Sequence, residues 1–211
     1  MAGLLFLLSS CGGPTPSETT ETFLRAVQAG DQETISTVYA GGEFQILPDG
    51  LRQQDPGQVL PEGTAAMMQG FEFQVLQEEK DGKQATVDVE IRTYPFGDAL
   101  KETLTKCIAE GLLMVLFGTS DEEIEELIIG TASDRFGAMD EKSYTETVRV
   151  SLEKVNGTWK VSEMEEDSPV RNALSGDLIG TMKEFQSSLD GLDGSGQPDE
   201  EQPDADESQN E

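Results

Sequence analysis

The sequence contains no histidine, only two cysteines and one tryptophan, and its 14 lysine and arginine residues are outnumbered by 42 aspartate and glutamate residues. Without histidine, neither a Ser-His-Asp nor a Cys-His arrangement can form, and the usual general base near neutral pH is missing. Histidine-ligated zinc and haem sites are excluded for the same reason. These absences remove several large classes of enzyme.

Positive charge is scarce, and the formal net charge of −28 limits the expected partners. A chain this acidic repels phosphate backbones, so nucleic acid is not an expected partner. Anionic lipid headgroups repel it as well. No apolar run approaches the roughly 20 residues that a membrane-spanning helix needs. Attachment to a membrane would therefore depend on covalently bound acyl chains, of which two or more give a stable anchor.

The most specific motif lies at the N-terminus, where apolar residues 4–8 lead into Leu8-Ser9-Ser10-Cys11. This segment resembles a bacterial lipobox, in which a signal peptidase cuts before the cysteine and the thiol receives a diacylglycerol. The resemblance implies a signal peptide over 1–10, lipid on Cys11 and the outer face of the cell membrane, most simply of a Gram-positive bacterium. Secretory signals open with basic residues, which this segment lacks, and a start codon upstream of Met1 would explain the difference. The alternative is an apolar strand that happens to hold a cysteine.

The rest of the chain divides by composition into three parts. Residues 11–17 are predicted to form a tether, and 18–189 a single α+β domain. Residues 190–211 carry nine acids and no base. Because almost nothing in that last segment is apolar, it is predicted to be a disordered tail.

Apolar spacing and capping residues predict five helices. The first begins after Ser17 and the second after Asp31. The third spans 98–117, the fourth runs from a Ser120 capping box to Gly137, and the fifth spans 169–189. Cys107 lies on the apolar face of the third and is predicted to be a buried core residue. Between the second and third helices, residues 40–70 form a long connection, with a possible strand over 44–47.

Two hairpins are predicted from alternating apolar residues. In the first, a three-residue loop over 80–82 with Gly82 left-handed would pair Phe71 with Ile91, Phe73 with Val89 and Val75 with Val87. This register places three charged residues on the opposite face: Asp88, Glu90 and Arg92.

The second hairpin turns at Asn156-Gly157, the preferred pair for a type I′ turn. A two-residue loop there sets Leu152 opposite Val161 and keeps Trp159 on the same face. These elements together predict an α+β fold, in which helices pack on one face of a curved antiparallel sheet.

Two passages resemble nuclear-transport-factor-2-like, cystatin-like domains. One is the opening helix, with Phe23-Leu24, Gly30-Asp31, Ile35 and Tyr39, and the other is the closing hairpin over 147–161. The resemblance implies a cone-shaped α+β domain, a fold that secreted lipoproteins often carry without a defined activity. Some enzymes of this fold use acids and tyrosines inside the cone.

The predicted pocket lies on the concave sheet face near Phe73, Val89 and Trp159. Glu163 could enter it beside Tyr39 or Tyr94, and the alternative is that Glu163 lies in solvent where the strand ends. The leading hypothesis is a non-enzymatic module that binds a small apolar ligand or an envelope protein. The alternative is a small hydrolase or isomerase that uses Glu163 as its carboxylate. A third hypothesis is a structural subunit of an envelope complex. No cofactor or metal is predicted, because the acidic residues do not fit a calcium loop.

Overall fold

The computed structural model describes residues 13–48, 60, 61, 63–116 and 120–193. These residues form an α+β fold with a four-stranded antiparallel sheet. The helices are α1 (Pro16–Ala29), α2 (Gln32–Val38), α3 (Thr64–Gln69), α4 (Phe96–Leu116), α5 (Asp121–Gly137), α6 (Pro169–Leu174) and α7 (Leu178–Asp193). The strands are β1 (Glu72–Asp81), β2 (Gln84–Thr93), β3 (Tyr144–Val155) and β4 (Thr158–Val161).

The sheet is an open meander in the order β1-β2-β3-β4, so β1 and β4 form its edges. Its inner face is apolar because alternate residues of the two central strands point to one side. The buried side chains of this face include Val87, Val89, Ile91, Val150 and Leu152. The outer face is polar, as predicted, and carries an Arg149–Asp88 ion pair at 2.9 Å. At the free edge of β4, Tyr39 forms an isolated bridge to Val161.

The second hairpin has the predicted geometry. Leu152 pairs with Val161, Lys154 with Trp159 and Val155 with Thr158, which leaves a two-residue turn. Asn156 and Gly157 have φ values of 50° and 88°, as a type I′ turn requires. Trp159 is buried on the inner face.

The predicted register of the first hairpin is wrong by two residues. Phe73 pairs with Ile91 and Val75 with Val89, and a bulge at Leu76 then shifts the pairing so that Asp81 lies opposite Gln84. The loop is therefore Gly82-Lys83, with Gly82 left-handed as predicted (φ 61°). The bulge adds one unpaired residue to β1. The apolar alternation of both strands is preserved, which is why alternation alone selected a wrong register.

The starts of α2, α5 and α6 agree with the predictions, α4 begins at Phe96 instead of residue 98, and α1 also begins earlier than predicted. Its N-cap is Thr15, two residues before the predicted Ser17, and Thr15 forms a capping box with Glu18. Asp31 caps α2 as predicted. Ser120 and Glu123 form the predicted capping box of α5, which ends at Gly137.

The predicted C-terminal helix is two helices, broken at Ser175-Gly176-Asp177. Gly176 has a φ of 56°, and a Cβ there would lie 2.0 Å from the carbonyl oxygen of Tyr94. Only glycine fits this close approach between the break and the end of β2. Asp177 also has a positive φ of 65°. After the break, α7 continues to Asp193, four residues past the predicted end, and residues 194–211 lie outside the described part of the chain.

The core lies between the inner sheet face and helices α1 and α6. Phe23, Leu24 and Val27 of α1 are buried. Burying three side chains of this size contributes about 1.5–3 kcal/mol each. Helix α4 joins this core at its start, where Phe96, Ala99 and Leu100 are buried. Cys107 is only partly buried and Ile108 is 59% exposed, so the predicted burial of Cys107 is wrong.

The connection between Tyr39 and β1 contains α3, which no sequence pattern predicted. The predicted strand at 44–47 is absent, since these residues are irregular. Phe44 and Ile46 are nevertheless buried. Phe44 packs edge-on against Phe23, with ring centroids 5.0 Å apart. The apolar spacing over 44–47 therefore reflects the burial of Phe44 and Ile46 and not strand pairing.

Candidate functional site

The four residues predicted to form a pocket lie at different places in the fold. Val89 is fully buried in the middle of β2, and Trp159 is 7% exposed on β4. Phe73 is half-buried on β1, with the Arg25 guanidinium 5.6 Å from its ring centroid. Glu163 is exposed two residues after β4 ends.

The structure does not gather these four side chains around one opening in the described residues. Phe73 and Trp159 stand on opposite edges of the sheet, which are about 14 Å apart at the usual strand spacing. Glu163 does lie near one predicted neighbour, because the backbone N–H of Met164 donates to the Tyr39 hydroxyl at 2.9 Å. A pocket or a catalytic role at these residues stays a prediction.

Cys11 lies outside the described residues, so lipid attachment also stays a prediction. The description begins at Gly13, and helix α1 begins only three residues later, at Pro16. Among the described helices, none combines the length and the apolar character needed to cross a bilayer.

Two surface openings occur away from the predicted pocket. A groove of about 120 Å³ is lined by residues between α2 and β1: Gln45, Ile46, Leu47, Ala65, Met68 and Gln69. A shallower, more open groove of about 490 Å³ runs beside α4 and α5, lined by Lys101, Glu102, Thr105, Lys106, Ala109 and Arg135. The second groove carries three cations and one carboxylate, and Arg135 already pairs with Glu102 at 3.0 Å.

Arg171 of α6 is a buried cation that sequence patterns did not single out. Its side chain is 9% exposed, and its guanidinium carbon lies 4.6 Å from the centroid of the Phe44 ring. One terminal N–H donates to the carbonyl oxygen of Gln45, while Nε has no hydrogen-bond partner. Within the described residues no carboxylate forms an ion pair with it. A flat guanidinium can stack on an aromatic ring in this way, whereas an ammonium cannot.

Tyr144 and Glu146 form a second polar group that was missed. They are two residues apart on β3 and therefore share the inner face, where Tyr144 pairs with Thr93 and Glu146 with Ile91. The Tyr144 hydroxyl donates a hydrogen bond to a Glu146 carboxylate oxygen. Burial raises the pKa of Tyr144, and the hydrogen bond to Glu146 and its negative charge raise it further. The phenol is therefore a proton donor at neutral pH, not a base.

Several other groups with a shifted pKa belong to ion pairs on the surface. The hydrogen bond from Arg149 lowers the pKa of Asp88, and the hydrogen bond from Lys142 lowers the pKa of Glu72. Burial raises the pKa of Glu78, but hydrogen bonds from Lys80 and Ser17 outweigh it, so that pKa lies below its usual value. In the part of the chain that the structure describes, no three cysteine, aspartate or glutamate side chains are arranged to hold a metal ion.

Apolar side chains are exposed mainly on α4 and α5. Ile108, Ile128 and Ile129 are 59%, 39% and 37% exposed. We call residues 105–116 and 120–131 of these two helices the arm. Exposed apolar clusters on a soluble domain commonly mark surfaces that contact other molecules. Ile108 and Ile128 have the spacing of an apolar helix face, which by itself predicts burial in a core.

No protein-family model matches the chain, and no curated protein matches it. Among solved structures, the chain is similar to a candidate lipoprotein, YcdA, from Bacillus subtilis, with a TM-score of 0.39 and 16% sequence identity. The match covers 81% of this chain and 48% of that one, so the chain spans about half the length of its structural neighbour.

Proposed function

We propose that the protein is a lipid-anchored lipoprotein of the bacterial cell envelope, with a domain that acts as a non-enzymatic binding or interaction module. The observation that carries this proposal is the Leu8-Ser9-Ser10-Cys11 motif, together with a capped helix that begins at Pro16. A cleavage site followed by a few linker residues and then a folded domain is the arrangement that a lipobox requires.

The finer features of the proposal follow from the motif and the domain. The lipid would be carried by Cys11, and the domain would lie on the outer face of the cell membrane. A relation to nuclear-transport-factor-2-like, cystatin-like domains is supported by α1, whose buried face covers the inner sheet face. The Asn156-Gly157 hairpin also supports it, although the sheet is open.

The exposure and protonation of the side chains that could carry chemistry support a non-enzymatic role. Glu163 is exposed, and Tyr144 is held as a neutral phenol. The arm is the better candidate for a contact surface, because Ile108, Ile128 and Ile129 are exposed there. The inner sheet face, by contrast, is already covered by α1 and α6.

Acylation can be tested by intact-mass measurement on protein from the membrane fraction of a native host. Wild type is expected to start at Cys11 and to carry the added mass of a diacylglycerol. Cys11→Ser should lose both. Cys107→Ser is the matched control, since it removes the chain's other cysteine and should keep the lipid. Wild-type protein without lipid mass would reject the proposal.

The arm can be tested with a photo-crosslinking residue at position 129 in cells. We expect an adduct of one defined mass, because Ile129 is exposed and apolar. The control position is Gln74, an exposed residue of β1. Equal adducts at both positions, or none at position 129, would contradict a contact through the arm.

A further inference from the structure

The linker between Cys11 and the domain is very short. Thr15 caps α1, so only residues 12–14 separate the proposed lipid site from the first helix. An extended chain spans at most about 3.6 Å per residue. Cys11 therefore stays within about 14 Å of Thr15 whatever its conformation. A lipid on Cys11 would hold that end of the domain close to the bilayer surface.

The start of α1 is fixed to the two hairpin turns. The backbone N–H of Ser17 donates to a Glu78 carboxylate oxygen at 2.8 Å, and Glu78 lies shortly before the Gly82-Lys83 turn. The N–H of Lys154 donates to the carbonyl oxygen of Lys83 at 2.8 Å, just before the Asn156-Gly157 turn. We call residues 15–18, 78–83 and 153–158 the turn end.

The turn end has a larger share of lysines than the chain as a whole, although its net charge per residue is about the same. It contains three lysines and five acids, whereas the whole chain has 14 lysine and arginine residues against 42 acids. Lys80 pairs with Glu78 at 2.6 Å. Among the described residues no carboxylate lies within ion-pair distance of Lys83 or Lys154. The Lys154 ammonium lies over the ring of Trp159, 5.4 Å from its centroid. Lys83 is therefore the lysine of the turn end that is available to an external anion.

We propose that the turn end lies against the bilayer, with Lys83 contacting the phosphates of lipid headgroups. This inference rests on the proposed acylation of Cys11. Charges act on a headgroup layer only within a Debye length, about 8 Å at physiological ionic strength. The orientation brings the Lys83 ammonium to the headgroup layer, where its charge can act on the phosphates.

Lysine labelling tests the orientation. Acylated wild-type protein is bound to vesicles of phosphatidylglycerol and phosphatidylcholine in equal amounts, or kept in detergent, and treated with an amine-reactive reagent. Lys83 and Lys154 should react severalfold more slowly on vesicles than in detergent. Lys101 and Lys106, which line the groove beside α4 and α5, should react at similar rates in both. Equal rates for Lys83 in both preparations would overturn the proposal.

Trp159 gives an independent measurement because it is the only tryptophan and lies next to the turn end on β4. Lipid carrying a nitroxide on its headgroup should quench its fluorescence in vesicle-bound protein. Inserting 20 Gly and Ser residues between Gly13 and Pro14 should reduce the quenching, because the anchor then no longer limits the distance. Quenching that is unchanged by the longer linker would reject the orientation.

Charge reversal separates contact from simple proximity. Lys83→Glu should weaken the quenching of Trp159, whereas Lys101→Glu changes the net charge equally and should not. If both variants behave alike, Lys83 makes no specific contact and the proposal fails. The intact mass separates the two proposals. Absence of lipid on Cys11 rejects the lipoprotein assignment, while lipid without lysine protection rejects only the orientation.

Discussion

Arg171 is the side chain whose environment is least expected from its chemistry. A buried cation loses its hydrating water. Here the face of Phe44 and the Gln45 carbonyl oxygen substitute for that water, a role that a carboxylate usually has. Replacing a buried ionic group by an apolar one of similar size is often neutral or stabilising. The guanidinium is therefore not expected to be a main source of stability.

Two variants at this position should therefore differ. Arg171→Met should leave the free energy of unfolding within about 1 kcal/mol of wild type. Arg171→Lys should lower it by about 1–3 kcal/mol, because an ammonium cannot stack on Phe44 and would be buried with fewer hydrogen bonds. Urea denaturation measures both values. A larger loss for methionine than for lysine would show that the positive charge itself is needed.

Tyr144 should make stability depend on alkaline pH. Its pKa is raised in the folded state above the ordinary value of about 10. The protonated form is therefore favoured by folding, and the resulting stability is complete below pH 10 and is lost as pH rises above it. The free energy of unfolding should fall more steeply above pH 10 for wild type than for Tyr144→Phe.

Glu146→Gln provides the control for this pH dependence. It keeps a hydrogen-bond acceptor for the phenol but removes the negative charge that opposes its ionisation. The alkaline loss should then be smaller than in wild type. If all three proteins showed the same profile, the Tyr144–Glu146 pair would have no part in the pH dependence.

At the scale of elements, the break between α6 and α7 depends on Gly176. Gly176→Ala would bring a Cβ to 2.0 Å from the Tyr94 carbonyl oxygen, so we expect a loss of more than 1 kcal/mol in the free energy of unfolding. Gly111→Ala in α4 is the control, since nothing lies within 4 Å of its Cβ. Alanine there should stabilise the helix by up to about 1 kcal/mol. Thermal unfolding of both variants checks the opposite signs.

The elements that sequence predicted best are those with a local chemical determinant. Asn156-Gly157 specifies its turn and therefore the register of the second hairpin. Ser120 and Glu123 specify the start of α5 in the same way. The first hairpin lacks such a determinant, because a bulge at Leu76 preserves the alternation while it changes the pairing. The helix break at Gly176 depends on the Tyr94 carbonyl, a contact distant in sequence.

The candidate site was less predictable than the fold. Burial of Arg171 depends on Phe44 and Gln45, which are more than 120 residues away, so no local pattern indicates it. The Tyr144–Glu146 pair could have been found by extending the alternation of Val148 and Val150 two positions back along β3. The exposed isoleucines of the arm have the spacing of a core helix. Only the folded structure shows that α4 and α5 reach past the sheet, so that these side chains lie outside the core.

At the scale of the whole molecule, the net charge of −28 should make stability depend on salt. Like charges repel one another in the compact state, and added ions screen the repulsion. The free energy of unfolding at pH 7 should therefore rise between 20 mM and 500 mM NaCl. Truncation after Asp193 removes seven acids and should reduce the salt dependence. A truncated protein with an unchanged salt dependence would show that tail charge does not act on the domain.

The bulge at Leu76 has a consequence for how the protein behaves at high local concentration. β1 is an edge strand of ten residues, and a regular edge of that length can accept a strand from a neighbouring molecule. The bulge interrupts the ladder halfway along β1, and Gln77 and Glu79 beyond it are exposed. Neither half of the edge offers more than about five regularly spaced residues to an incoming strand. Molecules at high local concentration would thus be protected from joining through their sheets into aggregates.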